Sequence, residues 1–409
     1  MSIKLFKNAN LLDCTGKDPI DSSWVVVEDK RIKEIGAGTA IPSFSNAEVI
    51  DCKGNTLMPG LIDAHIHLNL FDNDLAETHR RNYPAMHFVK ALAVLKDTGE
   101  QGFTTVRDAG GADAGFRIAV QQGLVPGPKI TVCGSSLTMT GGHADMRLGT
   151  ETGPPAWSPI TTGIVADGVA EVQKAAREQL RRGADYLKVM AGGGCGSPAD
   201  EPDTTQYTHE ELAAVVREAK AVKKEVLAHC YSNSSMKLCA DAGIYSIEHG
   251  NYLDRETADY LKKKDCWLVP TMTTYFYMSE HGEELGIPAY FLRKMKTVRE
   301  FAMEAVANAM AAGVRIGSGS DTVGSGQRFK AMELELKSRV MGPMKAILSA
   351  TRENAKLLKQ EHQIGTVEVG KCADLLLVEG DPLKDIALFQ NRDHLLAIMQ
   401  DGAFVKKTF

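Results

Sequence analysis

Asp63-Ala64-His65-Ile66-His67 closes an apolar run that begins at Leu57. Side chains of a strand alternate faces, so residues two apart project together, and His65 and His67 are placed to share one metal ion. In isolation such a pair reads equally as surface or core histidines. Other polar residues at the ends of apolar runs strengthen the metal reading. Lys188 lies inside Tyr186-Leu187-Lys188-Val189-Met190, where an ammonium is costly unless paired or chemically altered. One outcome is a lysine that snorkels to an opening. The other is a neutral amine that captures carbon dioxide and becomes an anionic carbamate able to bridge two metals. His229 ends Val226-Leu227-Ala228-His229, His249 ends Ser246-Ile247-Glu248-His249, and Asp321 follows Ile316-Gly317-Ser318-Gly319-Ser320. Each alone fits a core histidine or an N-cap aspartate. Together they form a set of imidazoles and anions suited to zinc.

Those residues need a scaffold that brings strand ends together. Between residues 58 and 357 the sequence alternates strand and helix eight times. The strand candidates are Leu57–His67, Phe103–Asp108, Ile130–Ser135, Tyr186–Met190, Val226–Tyr231, Tyr245–His249, Trp267–Met272 and Val314–Ser320. Apolar spacing of three and four predicts helices over Ala85–Glu100, Gly168–Arg182, His209–Lys223, Asp254–Lys264 and Tyr290–Ala312. Eight such units fit a (β/α)8 TIM barrel, whose active sites sit at the C-terminal strand ends. A doubly wound open sheet would want a glycine-rich phosphate turn after its first strand, and none is present. Long connections over Ser136–Thr162, Gly192–Tyr207 and Thr273–Pro288 would lie over the same end of the barrel and are expected to be functional. The chain ends, residues 1–57 and 358–409, read as short strands: Ile3–Lys7, Ser23–Glu28, Arg31–Ile35 and Ala47–Cys52, then Gly370–Val378, Ala397–Met399 and Phe404-Val405. Neither end can bury a core alone, so the two are expected to pair into one small β-sandwich domain.

Bulk properties exclude several classes. The 409 residues carry a net charge of -5 with scattered Lys and Arg, which leaves no electrostatic footprint for nucleic acid or an anionic membrane. The eight cysteines are far apart and read as free thiols in a reducing compartment. No apolar run approaches the ~18 residues of a membrane helix, and the start of the chain lacks a signal-like apolar region. A cytoplasmic protein is expected, and the sequon Asn233-Ser234-Ser235 is read as chance. Gly192-Gly193-Gly194-Cys195-Gly196 lacks the ending of a phosphate loop and is read as a flexible active-site loop. Arg107-Asp108 is read as a structural ion pair, with pocket lining as the alternative.

Pro59-Gly60-Leu61-Ile62-Asp63-Ala64-His65-Ile66-His67 and the Gly370–Val378 segment resemble the first-strand and closing motifs of the amidohydrolase superfamily, and the resemblance spans nearly the whole chain. It implies two divalent metal ions, zinc first. His65, His67 and Asp321 would hold the more buried ion, His229 and His249 the other, with carbamylated Lys188 between them. A shared water or hydroxide would attack a carbonyl, Asp321 would shuttle the proton, and Tyr231, two residues past His229, would donate to the oxyanion or simply pack. His229 is followed by Cys230, Tyr231 and Ser232 rather than the pattern of the family's deaminases. The run Lys188-Val189-Met190-Ala191-Gly192-Gly193-Gly194 with His229-Cys230-Tyr231 is similar to a branch of prolidases, other dipeptide or N-acyl amino acid hydrolases and imidazolonepropionases. In that branch the positions of His143 and Tyr231 touch substrate. The resemblance therefore implies hydrolysis of Xaa-Pro dipeptides. N-acyl amino acids, dipeptides ending in Arg or Lys, and a cyclic amide are the alternatives, and a homo-oligomer is expected. A catalytically dead scaffold relative would have lost ligands, whereas all six positions are kept here.

Overall fold

A computed structural model of the protein describes residues 2–44, 46–75, 77–153 and 163–409. Eight parallel strands form the barrel wall: Leu61–Ile66 (β1), Phe103–Asp108 (β2), Lys129–Val132 (β3), Leu187–Met190 (β4), Val226–Cys230 (β5), Ser246–His249 (β6), Trp267–Val269 (β7) and Arg315–Ile316 (β8). Pairing runs β1 to β3 and β4 to β8 in order. Two sets of hydrogen bonds close the ring. Asp185 N donates to Val132 O at 2.7 Å, joining β3 to β4, and Ala64 N donates to Ser318 O at 2.8 Å, joining β1 to the extension of β8. This is a TIM barrel.

The two-residue period decides what faces inward. On β4 and β5, Leu187, Val189, Val226 and Ala228 pack outward under the helices Gly168–Arg181 (α1) and His209–Ala221 (α2), in one apolar cluster with Val172, Leu212 and Val215 that extends to Val306 of the helix Ala289–Ala312 (α3). Lys188, between them, must then point into the barrel. The helices begin where local chemistry says they should. Thr208 and Glu211 form a reciprocal capping box for α2, and Gly313 at φ +72° ends α3 in the left-handed conformation.

Both chain ends contribute to one mixed sheet. Its order is Ala403–Lys407, Leu395–Gln400, Leu375–Val378, Thr56–Pro59, Ile3–Leu11, Ile20–Glu28, Arg31–Ala37, with Ala47–Asp51 beside Ile3–Leu11. The sheet folds over on itself as a small sandwich. The rings of Phe6 and Phe404, on strands well separated in that order, meet at 6.2 Å, and Ile32 N donates to Lys371 O at 3.0 Å.

Several elements differ from expectation, and Ser136–Thr138, expected in a loop, is a short strand that pairs at Leu137 with Val189. The run Leu57–His67 is two strands, not one: Thr56–Pro59 pairs with Leu375–Val378 in the terminal sheet, and Leu61–Ile66 enters the barrel. Gly60 marks the break. A β-carbon there would lie 2.1 Å from Thr104 Oγ1, so no larger residue fits. The expected loop Thr273–Pro288 contains a helix, Met272–His281 (α4). Of the loop Ser136–Thr162, residues 154–162 lie outside the described residues. Among the described residues no helix is long and apolar enough to cross a membrane.

Candidate active site

The C-terminal ends of the strands surround one cavity. His65, His67, Lys188, His229, His249 and Asp321 all line it, together with His143 and Tyr231. Donor atoms of His65, His67 and Asp321 lie within 4.8 Å of one another. Asp321 Oδ1 is 3.6 Å from His65 Nε2 and 3.4 Å from His67 Nε2. The His249 ring stands 4.9 Å from that of His65 and 4.5 Å from that of His229. The backbone is held in the left-handed region at His249 (φ +73°) and Asp321 (φ +48°), a conformation that is uncommon for non-glycine residues. Asp321 is kept there by its backbone N–H, which donates to His65 O at 2.8 Å.

Every histidine of the group has one nitrogen engaged away from the cavity. His65 Nδ1 bonds Glu248 Oε2 at 2.7 Å, and His67 Nδ1 donates to Gly110 O at 2.8 Å. His229 Nε2 donates to Gly193 O at 3.0 Å, and His249 Nδ1 bonds Thr271 Oγ1 at 2.7 Å. Such partners fix the tautomer and aim the other nitrogen. His65 Nε2 is fully buried without a hydrogen-bond partner, a costly state for a polar atom that a coordinated cation would relieve. Burial also lowers the basicity of all four imidazoles, that of His67 to about 3, so they are neutral and able to ligate. Lys188 is 1% exposed, and burial lowers its pKa. Burial pushes Asp321 up to about 8 against the downward pull of Lys188. The donor set fits divalent metal ions.

Arg107 does not pair with Asp108 as the sequence reading expected. Its guanidinium holds Glu248 through contacts of 2.8 and 2.9 Å, and Ser246 Oγ donates to the same carboxylate at 2.6 Å. A buried Arg107–Glu248–His65 chain therefore backs the cavity. Asp108 instead accepts from the backbone N–H groups of Leu68, Gly110 and Ala112, shaping the turn behind His67. Sequence reasoning missed Glu248 because strict alternation puts it on the face opposite His249. The left-handed backbone at His249 breaks that alternation, and both reach His65.

His143 arrives from the connection after β3 and stacks on His229, ring centres 4.1 Å apart. Its Nδ1 is 2.8 Å from Ser197 Oγ, and Ser197 donates in turn to Asp200. Because the Ser197 proton is committed to Asp200, Nδ1 of His143 is the donor and Nε2 the free acceptor. The loop over residues 192–207 is tied down rather than free. Buried Lys294 of α3 donates to the carbonyls of Gly194 and Ser197 at 3.3 and 2.8 Å and to that of Asp200. Gly194 is obligatory: a β-carbon there would meet His143 Cε1 at 2.0 Å. Cys195 lines the cavity, and burial raises its thiol to about 12, away from the thiolate form that a cysteine nucleophile uses. Ser197, Asp200 and Lys294 carried no local sequence signal; only the folded loop brings them to His143.

A closed barrel with histidines, a lysine and an aspartate converging at its C-terminal strand ends has the architecture of a barrel enzyme. The chain belongs to the amidohydrolase family, whose sequence model matches residues 56–405. A solved amidohydrolase structure shares 36% identity, covers 99% of both chains and superposes with a TM-score of 0.95. The structure of a prolidase complexed with N-methylphosphonate-L-proline is 34% identical, covers 99% of this chain and 100% of its own, and gives a TM-score of 0.96. Ochratoxinase of Aspergillus niger is 29% identical over 97% of this chain and 86% of its own length. Family and neighbours make this protein a hydrolase of amide bonds acting on small molecules.

Proposed function

We propose that the protein is a dipeptidase that cleaves Xaa-Pro dipeptides and releases proline. The observation that carries this reading is the end-to-end similarity to a prolidase that binds a phosphonate analogue built on L-proline. His65, His67 and Asp321 would hold one divalent ion, zinc first, and His229 and His249 a second, with carbamylated Lys188 between them. Ions bound there supply Lewis acidity and a lowered pKa for water at the scissile bond. Asp321 takes the proton of the attacking water and delivers it to the leaving nitrogen. Tyr231 donates its hydroxyl proton to the oxyanion of the tetrahedral intermediate. His143 offers Nε2 to the substrate from the wall formed with His229.

The Lys188 step balances simply. The neutral amine's lone pair attacks the carbon of carbon dioxide, an N–C bond forms, and a proton passes to solvent. Burial, which disfavours the ammonium, promotes the reaction. With isotopically labelled bicarbonate, a carbamate carbon resonance is expected in wild-type protein and none in Lys188→Ala. A wild-type spectrum without that resonance would remove the bridging role.

The functional test is a substrate panel with the zinc-loaded enzyme. Xaa-Pro, Xaa-Arg and Xaa-Lys dipeptides and N-acetyl amino acids are compared side by side. A kcat/KM for Xaa-Pro far above the rest is expected. Preference for another member reassigns the substrate within the same chemistry. No turnover of any of them, with metal bound, sinks the dipeptidase reading and moves the search to cyclic amides and lactones.

A further inference from the structure

The hydroxyl of Tyr231 ends a chain of hydrogen bonds that starts on a neighbouring member of the metal-binding set. His249 Nδ1 lies 2.7 Å from Thr271 Oγ1. The Thr271 hydroxyl donates to Tyr275 Oη at 3.3 Å, and the Tyr275 hydroxyl donates to Tyr231 Oη at 3.0 Å. Three strand ends supply the four residues. Tyr231 follows β5, His249 ends β6, and Thr271 and Tyr275 flank the start of α4 beyond β7. None is more than 3% exposed, so water does not compete for these bonds.

The chain has one direction. A hydroxyl carries a single proton. That of Tyr275 is committed to Tyr231 and that of Thr271 to Tyr275, so Thr271 oxygen accepts from His249. Tyr231 oxygen accepts from Tyr275, which leaves the Tyr231 proton for donation into the cavity. The thiol of Cys195 lines the same cavity and is a weak acceptor that an oxyanion would readily displace. Aligned hydrogen bonds polarise one another, by roughly 10–30% per bond. A cation on the far nitrogen of His249 strengthens its N–H as a donor, and that gain passes along the chain.

We propose that Thr271 and Tyr275 are positioning residues for Tyr231. They hold its hydroxyl with the proton turned toward the reacting carbonyl, and they couple its strength as a donor to occupancy of the His249 side of the metal centre. The proposal rests on the reading of Tyr231 as the oxyanion donor. It adds two residues and a direction of influence to that reading.

A double-mutant cycle tests it on whichever amide substrate the enzyme turns over best. Tyr231→Phe is expected to lower kcat by about 10²-fold, the usual loss for one oxyanion donor. Tyr275→Phe and Thr271→Val should each lower kcat by roughly 5- to 10-fold, the worth of one hydrogen bond, with KM little changed. Thr271→Ser, which keeps the hydroxyl, should restore the wild-type rate. In the Tyr231→Phe background, Tyr275→Phe should cost nothing further, because its route of action is already gone. Additive losses, or a Tyr275→Phe enzyme with wild-type kcat, overturn the proposal. A readout independent of any substrate separates this outcome from failure of the dipeptidase reading. With tyrosine labelled at the ring carbon bearing the hydroxyl, the Tyr231 resonance (assigned by its loss in Tyr231→Phe) should shift on zinc loading. It should also shift in Thr271→Val but not in Thr271→Ser. A resonance that ignores both zinc and Thr271→Val overturns the coupling even if no dipeptide is ever cleaved.

Discussion

Asp321→Asn is expected to lower kcat on the best dipeptide by roughly 10³-fold or more, within the range for losing a positioned general acid–base, with a much smaller change in KM. The substitution isolates chemistry from folding. Asparagine has the same shape and tolerates the left-handed backbone that Asp321 adopts at φ +48°, and the bond from the residue-321 N–H to His65 O does not involve the side chain. What is lost is a carboxylate 3.4 and 3.6 Å from the inward nitrogens of His67 and His65 and, with it, the group proposed to carry a proton from water to the leaving nitrogen. Metal content measured on the same samples tells the two losses apart. Retained metal with a collapsed kcat assigns the proton shuttle. Lost metal assigns the ligand role. A variant keeping more than a tenth of the wild-type kcat would remove Asp321 from the mechanism.

Glu248→Leu should be among the most destabilising single changes in the barrel, at about 3–5 kcal/mol. Glu248 is fully buried, and Arg107 directs its guanidinium at it from across the barrel interior with 4% exposure. Removing the carboxylate strands a buried cation. It also takes the partner from His65 Nδ1, and loss of such a support costs metal affinity roughly 10–100-fold. The two effects separate in a double variant. Arg107→Met with Glu248→Leu replaces the whole ion pair by apolar side chains, which proteins often accept without loss. Urea denaturation of the double variant should recover most of the stability, while zinc titration should still show weakened binding. Recovery of both would mean that Glu248 supports only the fold. Recovery of neither would mean that the barrel interior cannot repack around the missing pair.

How much of this was legible in the sequence depended on how local each signal is. His65, His67, Lys188, His229, His249 and Asp321 stood out because each is a polar residue at or in an apolar run, and parallel strands in a closed barrel bring such ends together without further information. The fold followed from the same periodicity. Glu248 was hidden because one left-handed residue, His249, reverses the alternation that the reading relied on. Tyr275 was hidden because Thr273-Thr274-Tyr275-Phe276-Tyr277 is rich in β-branched and aromatic residues, poor helix formers by propensity, so α4 was expected to be loop. Packing decided otherwise, since Met272, Tyr275 and Met278 are buried. Arg107 was matched with its sequence neighbour, whereas the partner that wins lies across the barrel interior, where desolvation makes the pairing far stronger than in a solvated loop.

The sheet built from both chain ends imposes an order on biosynthesis. Thr56–Pro59 leaves the ribosome early, yet its antiparallel partner Leu375–Val378 emerges only after the whole barrel has been translated. Until then the amino-terminal strands present an unpaired edge, the kind of surface that recruits other chains. The strands made after the barrel thus act as a clasp on the nascent polypeptide. Newly translated molecules should depend on chaperones, or on speed, until the clasp arrives.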